Sequence, residues 1–120
     1  MSVARGPARS PQDLERMLVS REWAGDIDGM VALYERDAVG ECSDGRMLRG
    51  REAIREFFTA AVAEGRKFQA GVQHPATISG DLALTSTRLP DGTVTAEVAR
   101  RQMDGTWLWV VDRFCIAKLS

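Results

Sequence analysis

The chain has 120 residues, enough for one domain that buries about two-thirds of its unfolded surface without disulfide or metal staples. Its 16 basic residues are scattered among 17 acidic ones, for a net charge of −1, which argues against the clustered cationic footprint of a nucleic-acid binder. A single histidine argues against a His-based metal site or a Ser-His-Asp triad, and no apolar run reaches the ~18 residues of a membrane helix.

Residues 1–9 contain Arg and Pro but no apolar stretch of the secretory type, and read as a disordered lead-in to a single domain over residues 10–118. Ser10-Pro11-Gln12-Asp13 has the grammar of a helix start: a capping hydroxyl, a proline suited to the first turn and an acid facing the helix dipole. Leu14, Met17 and Leu18 continue as an apolar stripe, and Gly25 closes the helix. Asp26 caps the next helix at once, with Ile27, Met30, Val31 and Tyr34 spaced for one face. Val39 to Cys42 reads as a short strand ended by Asp44-Gly45. A third helix begins near Gly50 and carries the cleanest stripe: Ile54, Phe57, Phe58, Ala61 and Val62.

From Phe68 the hydrophobic period becomes two, punctuated by Ser79-Gly80, Asp91-Gly92 and Asp104-Gly105. Helices followed by an antiparallel meander of four strands give an α+β class. Taking each turn as a two-residue hairpin loop sets Gln73, Ser86, Glu97 and Asp112 in one row across the strands. That face, with Leu82, Leu84, Leu108 and Val110, is assigned to the interior. The opposite face carries Trp107 and Trp109, with Arg100 across from Trp109, and is expected to pair two copies of the chain.

Gly25-Asp-Ile-Asp-Gly-Met-Val-Ala-Leu-Tyr34 is similar to the helix-turn-helix signature of ketosteroid isomerases. Gly50-Arg-Glu-Ala-Ile54 resembles the start of the third helix in the nuclear-transport-factor-2-like superfamily. The run from Ala96 to Trp107 resembles the last hairpin of SnoaL-like proteins. The resemblance spans roughly Asp13 to Ile116. It implies a cone-shaped fold of three N-terminal helices packed on a curved antiparallel sheet, with one internal pocket. The superfold hosts isomerases, dehydratases, cyclases, epoxide hydrolases and non-catalytic binders. Ketosteroid isomerase uses an Asp base with a Tyr and a protonated Asp as oxyanion donors. The matched positions here are Cys42, Leu18 and Glu97, so a carboxyl survives only at Glu97 and steroid isomerisation by that route is not implied.

Two carboxyls facing each other in a water-poor pocket would share protons, one donating while the other accepts. Glu97 is the candidate acid and Asp112 its partner base or tuner. Gln73, Ser86 and Arg88 are candidate substrate contacts, and Tyr34, Cys42, Phe58 and Trp23 candidate pocket lining. The competing reading neutralises the carboxylates with Arg88 or Arg101 at a solvated sheet end. Cys42 reads as a small buried hydrophobe before a nucleophile, and His74, followed by Pro75, as a surface or edge residue. Cys42 and Cys115 show no metal spacing and read as free thiols of a cytoplasmic protein.

The function expected is that of a small-molecule pocket protein without metal or cofactor. It would be an acid/base enzyme of isomerase, cyclase, dehydratase or epoxide-hydrolase type acting on a small apolar metabolite, with secondary metabolism as its setting. The alternative is a non-catalytic ligand-binding or dimeric assembly module. No nucleic acid or membrane partner is expected.

Overall fold

Three short helices are laid over one face of a curved, unclosed eight-stranded sheet in the computed structural model, which describes residues 6–119. Helix α1 spans Asp13–Trp23, α2 Ile27–Val31 and α3 Gly50–Ala63; the strands are β1 Tyr34–Glu41, β2 Met47–Arg49, β3 Val72–Gln73, β4 Thr77–Ser79, β5 Leu82–Thr85, β6 Thr87–Arg88, β7 Thr93–Arg101 and β8 Trp107–Lys118. The main strand order is β2-β1-β8-β7-β5-β4, with β6 bridging β3 to β7.

The local signals around the first turn act as their chemistry requires. Gly25 adopts φ 69° after α1, and the Asp26 carboxylate accepts the Gly29 N–H at 2.9 Å. Helix α2 is shorter than its periodicity suggests. Tyr34 begins β1 instead of ending the helix, and β1 runs eight residues, starting well before Val39. Helix α1 begins at Asp13, whose carboxylate accepts the N–H groups of Arg9 and Ser10, so Ser10 is not its cap. Helix α3 buries Ile54, Phe58 and Ala61 and leaves Phe57 and Val62 at the margin.

Residues 1–5 of the expected lead-in lie outside the described residues. Residues 6–9 are placed against the body of the domain: Ala8 is buried and its carbonyl accepts the Trp107 N–H at 3.0 Å, while Arg21 donates to the Gly6 carbonyl at 2.6 Å.

The sheet departs from the simple meander at its turns. Leu89 N–H donates to the Thr93 carbonyl, so Pro90-Asp91-Gly92 forms a three-residue loop; Gln102 N–H donates to the Thr106 carbonyl, so Met103-Asp104-Gly105 forms another. Gly92 and Gly105 take φ 91° and 85°, the left-handed last residue that this loop type demands. The β4–β5 turn also moves, to Gly80-Asp81, because Ser79 pairs Leu82. Each three-residue loop slips the pairing by one, and with a side-chain period of two a one-residue slip exchanges the faces.

Thr85, not Ser86, therefore lies across from Glu97, and Gln73 pairs Thr87 instead of joining the row. Leu82 and Leu84, expected inside, are exposed. Trp107 and Trp109, expected on an outer interface, turn inward and are buried, Trp109 at 1% exposure. Arg100 pairs Leu108 on the outer face and bonds Glu35 at 2.9 Å, not the Trp109 ring. On β8 the register shifts again between Ala99↔Trp109 and Val98↔Val111, leaving Val110 as the extra residue of a bulge. That bulge reverses the slip of the last loop, so Glu97 faces Asp112 as the simple register has it.

The core is built from Leu14, Met17, Leu18, Met30, Leu33, Ile54 and Phe58 beneath, and Ala83, Ala99, Trp107 and Trp109 above. At ~25 cal/mol per Å2, burial of these large side chains dominates the favourable side of folding. Among the described residues no helix is long and apolar enough to cross a membrane.

Candidate functional site

Strand β8 is the hub. It pairs β7 antiparallel, which sets Asp112 against Glu97, and β1 parallel, which sets Asp112 against Gly40. Glu97 is 3% exposed and Asp112 4%, a degree of closure that carboxyls reach only when paired or protonated. Neither enters an ion pair among the described residues. Arg88, slipped one register, is exposed opposite Val94, and Arg101 bonds the exposed Asp81. Neutralisation by either arginine is thereby removed.

Hydroxyls take the place of cations. Tyr34, fully buried, donates its phenol to Asp112 Oδ2 at 2.5 Å, and Thr85 Oγ1 donates to Glu97 Oε1 at 2.7 Å. The Tyr34 ring is fixed by Trp109 at 5.0 Å and Phe58 at 6.0 Å between centroids. Trp109 Nε1 is buried and has no hydrogen-bond partner among the described residues, an unused donor within the same cluster.

A third carboxyl, the half-buried Glu15, feels the charge of this cluster. Glu15 on α1 has its pKa pushed up from an ordinary 4.5 to about 7, first by burial and then by the charges of Glu97 and Glu22. Burial also raises Glu97, opposed by the hydroxyls of Thr95 and Thr85. Asp112 stands well above the usual carboxylate range through burial and the Glu97 charge, with the Tyr34 hydrogen bond pulling the other way. Tyr34 is held protonated far beyond its ordinary value by burial and by Asp112. Desolvation with like-charge repulsion is the arrangement that retains protons at neutral pH. Sequence reasoning missed Glu15. The available signal was that Glu15 and Glu22 stand at i and i+7, flanking the apolar Leu18 on the same side of α1.

The remaining candidates scatter. Phe58 is in the core beside Tyr34. Ser86 Oγ donates to the Thr95 carbonyl at 2.7 Å and is spent on the backbone. Trp23 lies 54% exposed, its Nε1 donating to the Phe68 carbonyl at 2.7 Å. His74 is also exposed.

Cys42 is buried, 3.9 Å from an Arg46 guanidinium nitrogen, and lines an open groove of about 970 Å3 at one end of the sheet. Glu97, Asp112, Glu15 and Tyr34 are not among that groove's lining. Cys42 and Cys115 are both free thiols. No group of His, Cys, Asp and Glu among the described residues is arranged to hold a metal ion.

Residues 14–118 match the family model described as the SnoaL-like domain. The chain belongs to the SnoaL-like domain family. Solved structures place this SnoaL-like chain in the nuclear-transport-factor-2-like, cystatin-like fold. One is a domain of unknown function with a cystatin-like fold from Nostoc punctiforme, with TM-score 0.72 and 21% identity over 90% of this chain and 75% of that one. Another is a candidate dehydratase of the NTF2-like family from Streptomyces avermitilis, with TM-score 0.69 and 16% identity over 85% and 90%. A third is a candidate ketosteroid isomerase from Parabacteroides distasonis, with TM-score 0.61 and 17% identity over 85% and 81%. No curated protein matches the sequence. At these identities the likeness establishes the fold, and the site must speak for the chemistry.

Proposed function

We propose that this SnoaL-like protein is a cofactor-independent acid/base enzyme, of isomerase, cyclase, dehydratase or epoxide-hydrolase type, acting on a small apolar metabolite. The observation that carries the reading is the closed Tyr34–Asp112–Glu97 constellation, with a phenol 2.5 Å from a carboxyl that faces a second carboxyl and no cation among the described residues paired to either. Burial and the facing charges favour one proton retained by the Asp112–Glu97 pair, so that one carboxyl donates while the other accepts. Tyr34 donates to Asp112 and Thr85 to Glu97, and these hydroxyls tune the pair. Glu15 serves as a third store of charge that sets how many protons the cluster carries.

Exchange of the α-protons of 2-tetralone in D2O, followed by proton NMR, tests the reading without knowledge of the natural substrate. The protein should accelerate exchange, and Glu97→Gln and Asp112→Asn should each lower the rate by about 10²-fold or more. Unchanged exchange in both variants would refute it.

The second reading, an assembly module, draws on a different observation. Leu82, Leu84, Val98 and Val111 make an apolar stripe on the outer sheet face, with the Arg113–Glu41 and Arg100–Glu35 ion pairs nearby. In place of the tryptophan face expected from sequence, this stripe would pair two copies of the chain.

A further inference from the structure

The groove of about 970 Å3 that lies apart from the carboxyl cluster has a character of its own. Phe57 and Phe114 stack at 5.2 Å to form part of its apolar wall, continued by Phe68. Its charged lining is Arg46, Arg66, Lys67 and Lys118 against Asp44 and Asp91, an excess of two positive charges in a chain whose net charge is −1.

The two lysines are engaged: Lys118 with Asp91 at 3.6 Å, and Lys67 over the Trp23 ring at 5.1 Å. Among the described residues the two arginines are not in salt bridges with acids. Arg46 sits 5.8 Å and Arg66 5.5 Å from the same Phe57 centroid, and Arg66 also lies 4.9 Å from Phe68. Neither guanidinium forms an ion pair with a carboxylate among the described residues. Asp44 accepts the Arg46 backbone N–H instead. Glu22, which feels the Arg66 charge, is buried with one oxygen taken by the Phe68 N–H. Two like charges drawn to one ring without a counter-ion repel each other, and an anion between them relieves that repulsion. Contact with the aromatic rings restrains both guanidinium groups; Arg46 turns one N–H toward Cys42 Sγ at 3.9 Å, and its other N–H groups and those of Arg66 can meet a carboxylate.

We propose that this groove binds a small organic carboxylate with an apolar body, its carboxylate held by Arg46 and Arg66 and its body against Phe57, Phe68 and Phe114. The volume matches what a small-molecule ligand fills. Binding is read here without turnover, so failure of the acid/base reading leaves this inference standing, and the reverse holds too.

The test compares 2-naphthoate with 2-naphthalenemethanol, its neutral counterpart, by isothermal titration calorimetry. Backbone amide shifts of the 15N-labelled protein locate the site. The naphthoate should bind about tenfold tighter than the alcohol and lose that advantage as sodium chloride is raised from about 20 to 300 mM. The double variant Arg46→Gln, Arg66→Gln should bind naphthoate no better than the alcohol, while Arg46→Lys, Arg66→Lys keeps part of the preference. Shifts should centre on Phe57, Phe68 and Phe114. The salt titration on the unaltered chain keeps the test decisive should the glutamine variant fold poorly. Equal binding of the two probes, an undiminished double glutamine variant, or shifts confined to other parts of the chain would each overturn the proposal.

Discussion

Replacing Glu15 by Gln should make the protein more stable at pH 8 and leave it nearly unchanged at acid pH. The native pKa of about 7 lies above an unfolded value of 4.5. The folded state therefore binds more protons than the unfolded state between those pH values, and stability falls as pH rises through that window. Two and a half units at ~1.4 kcal/mol each put the full penalty at about 3.5 kcal/mol above pH 7, an upper figure because Glu97 and Glu22 contribute part of the shift and relax with it. Glutamine keeps the shape and removes the charge. Urea unfolding followed by circular dichroism at half-unit steps from pH 4.5 to 8.5 should show the variant's advantage growing through the window and levelling off above pH 7. The m-value should stay constant, so that the change is one of stability and not of the denatured state. A difference that does not vary with pH, or a wild-type protein that is the more stable at pH 8, would show that Glu15 is not held in the closed carboxyl cluster.

Other outcomes follow from the same geometry. Tyr34→Phe keeps the ring stack on Trp109 and Phe58 but removes the donor to Asp112; carbon-detected NMR should find the Asp112 carboxyl titrating still higher, with stability lowered by about 1–2 kcal/mol. Glu97→Gln removes the neighbouring charge that raises Asp112, so the Asp112 pKa should fall in the same measurement. Trp109→Ala should cost about 3–5 kcal/mol in a denaturant titration, since the side chain is 1% exposed in the core; an effect below ~1 kcal/mol would return Trp109 to the outer face. Val111→Glu on the outer stripe should shift sedimentation toward the monomer at micromolar concentration without lowering the melting temperature.

Local chemistry is legible in the sequence wherever it is local. Asp26 caps α2 because a short carboxylate reaches the Gly29 N–H three residues further along the chain. The 3.6-residue stripe of α3 and the positions of the Asp91-Gly92 and Asp104-Gly105 turns also depend on neighbours in the chain alone. The facing of Glu97 and Asp112 is read from the sequence for an incomplete reason, since a three-residue loop and a bulge at Val110 cancel each other. Tertiary structure decides what needs partners distant in sequence. The turn dipeptides fit two- or three-residue loops, and burial of two tryptophans under the helices selects the slip that sends Trp107 and Trp109 inward and Leu82, Leu84, Ser86 and Arg88 outward. With a period of two, one residue of register decides which face is core, and only the packed helices supply the energy difference between the choices. The Tyr34–Asp112 hydrogen bond spans 78 residues and requires a parallel β1–β8 pair that no periodicity announces. Glu15 gains its role only because α1 crosses the sheet where the other carboxyls already lie, so its proton affinity is a property of the assembled interior and not of its place in the chain.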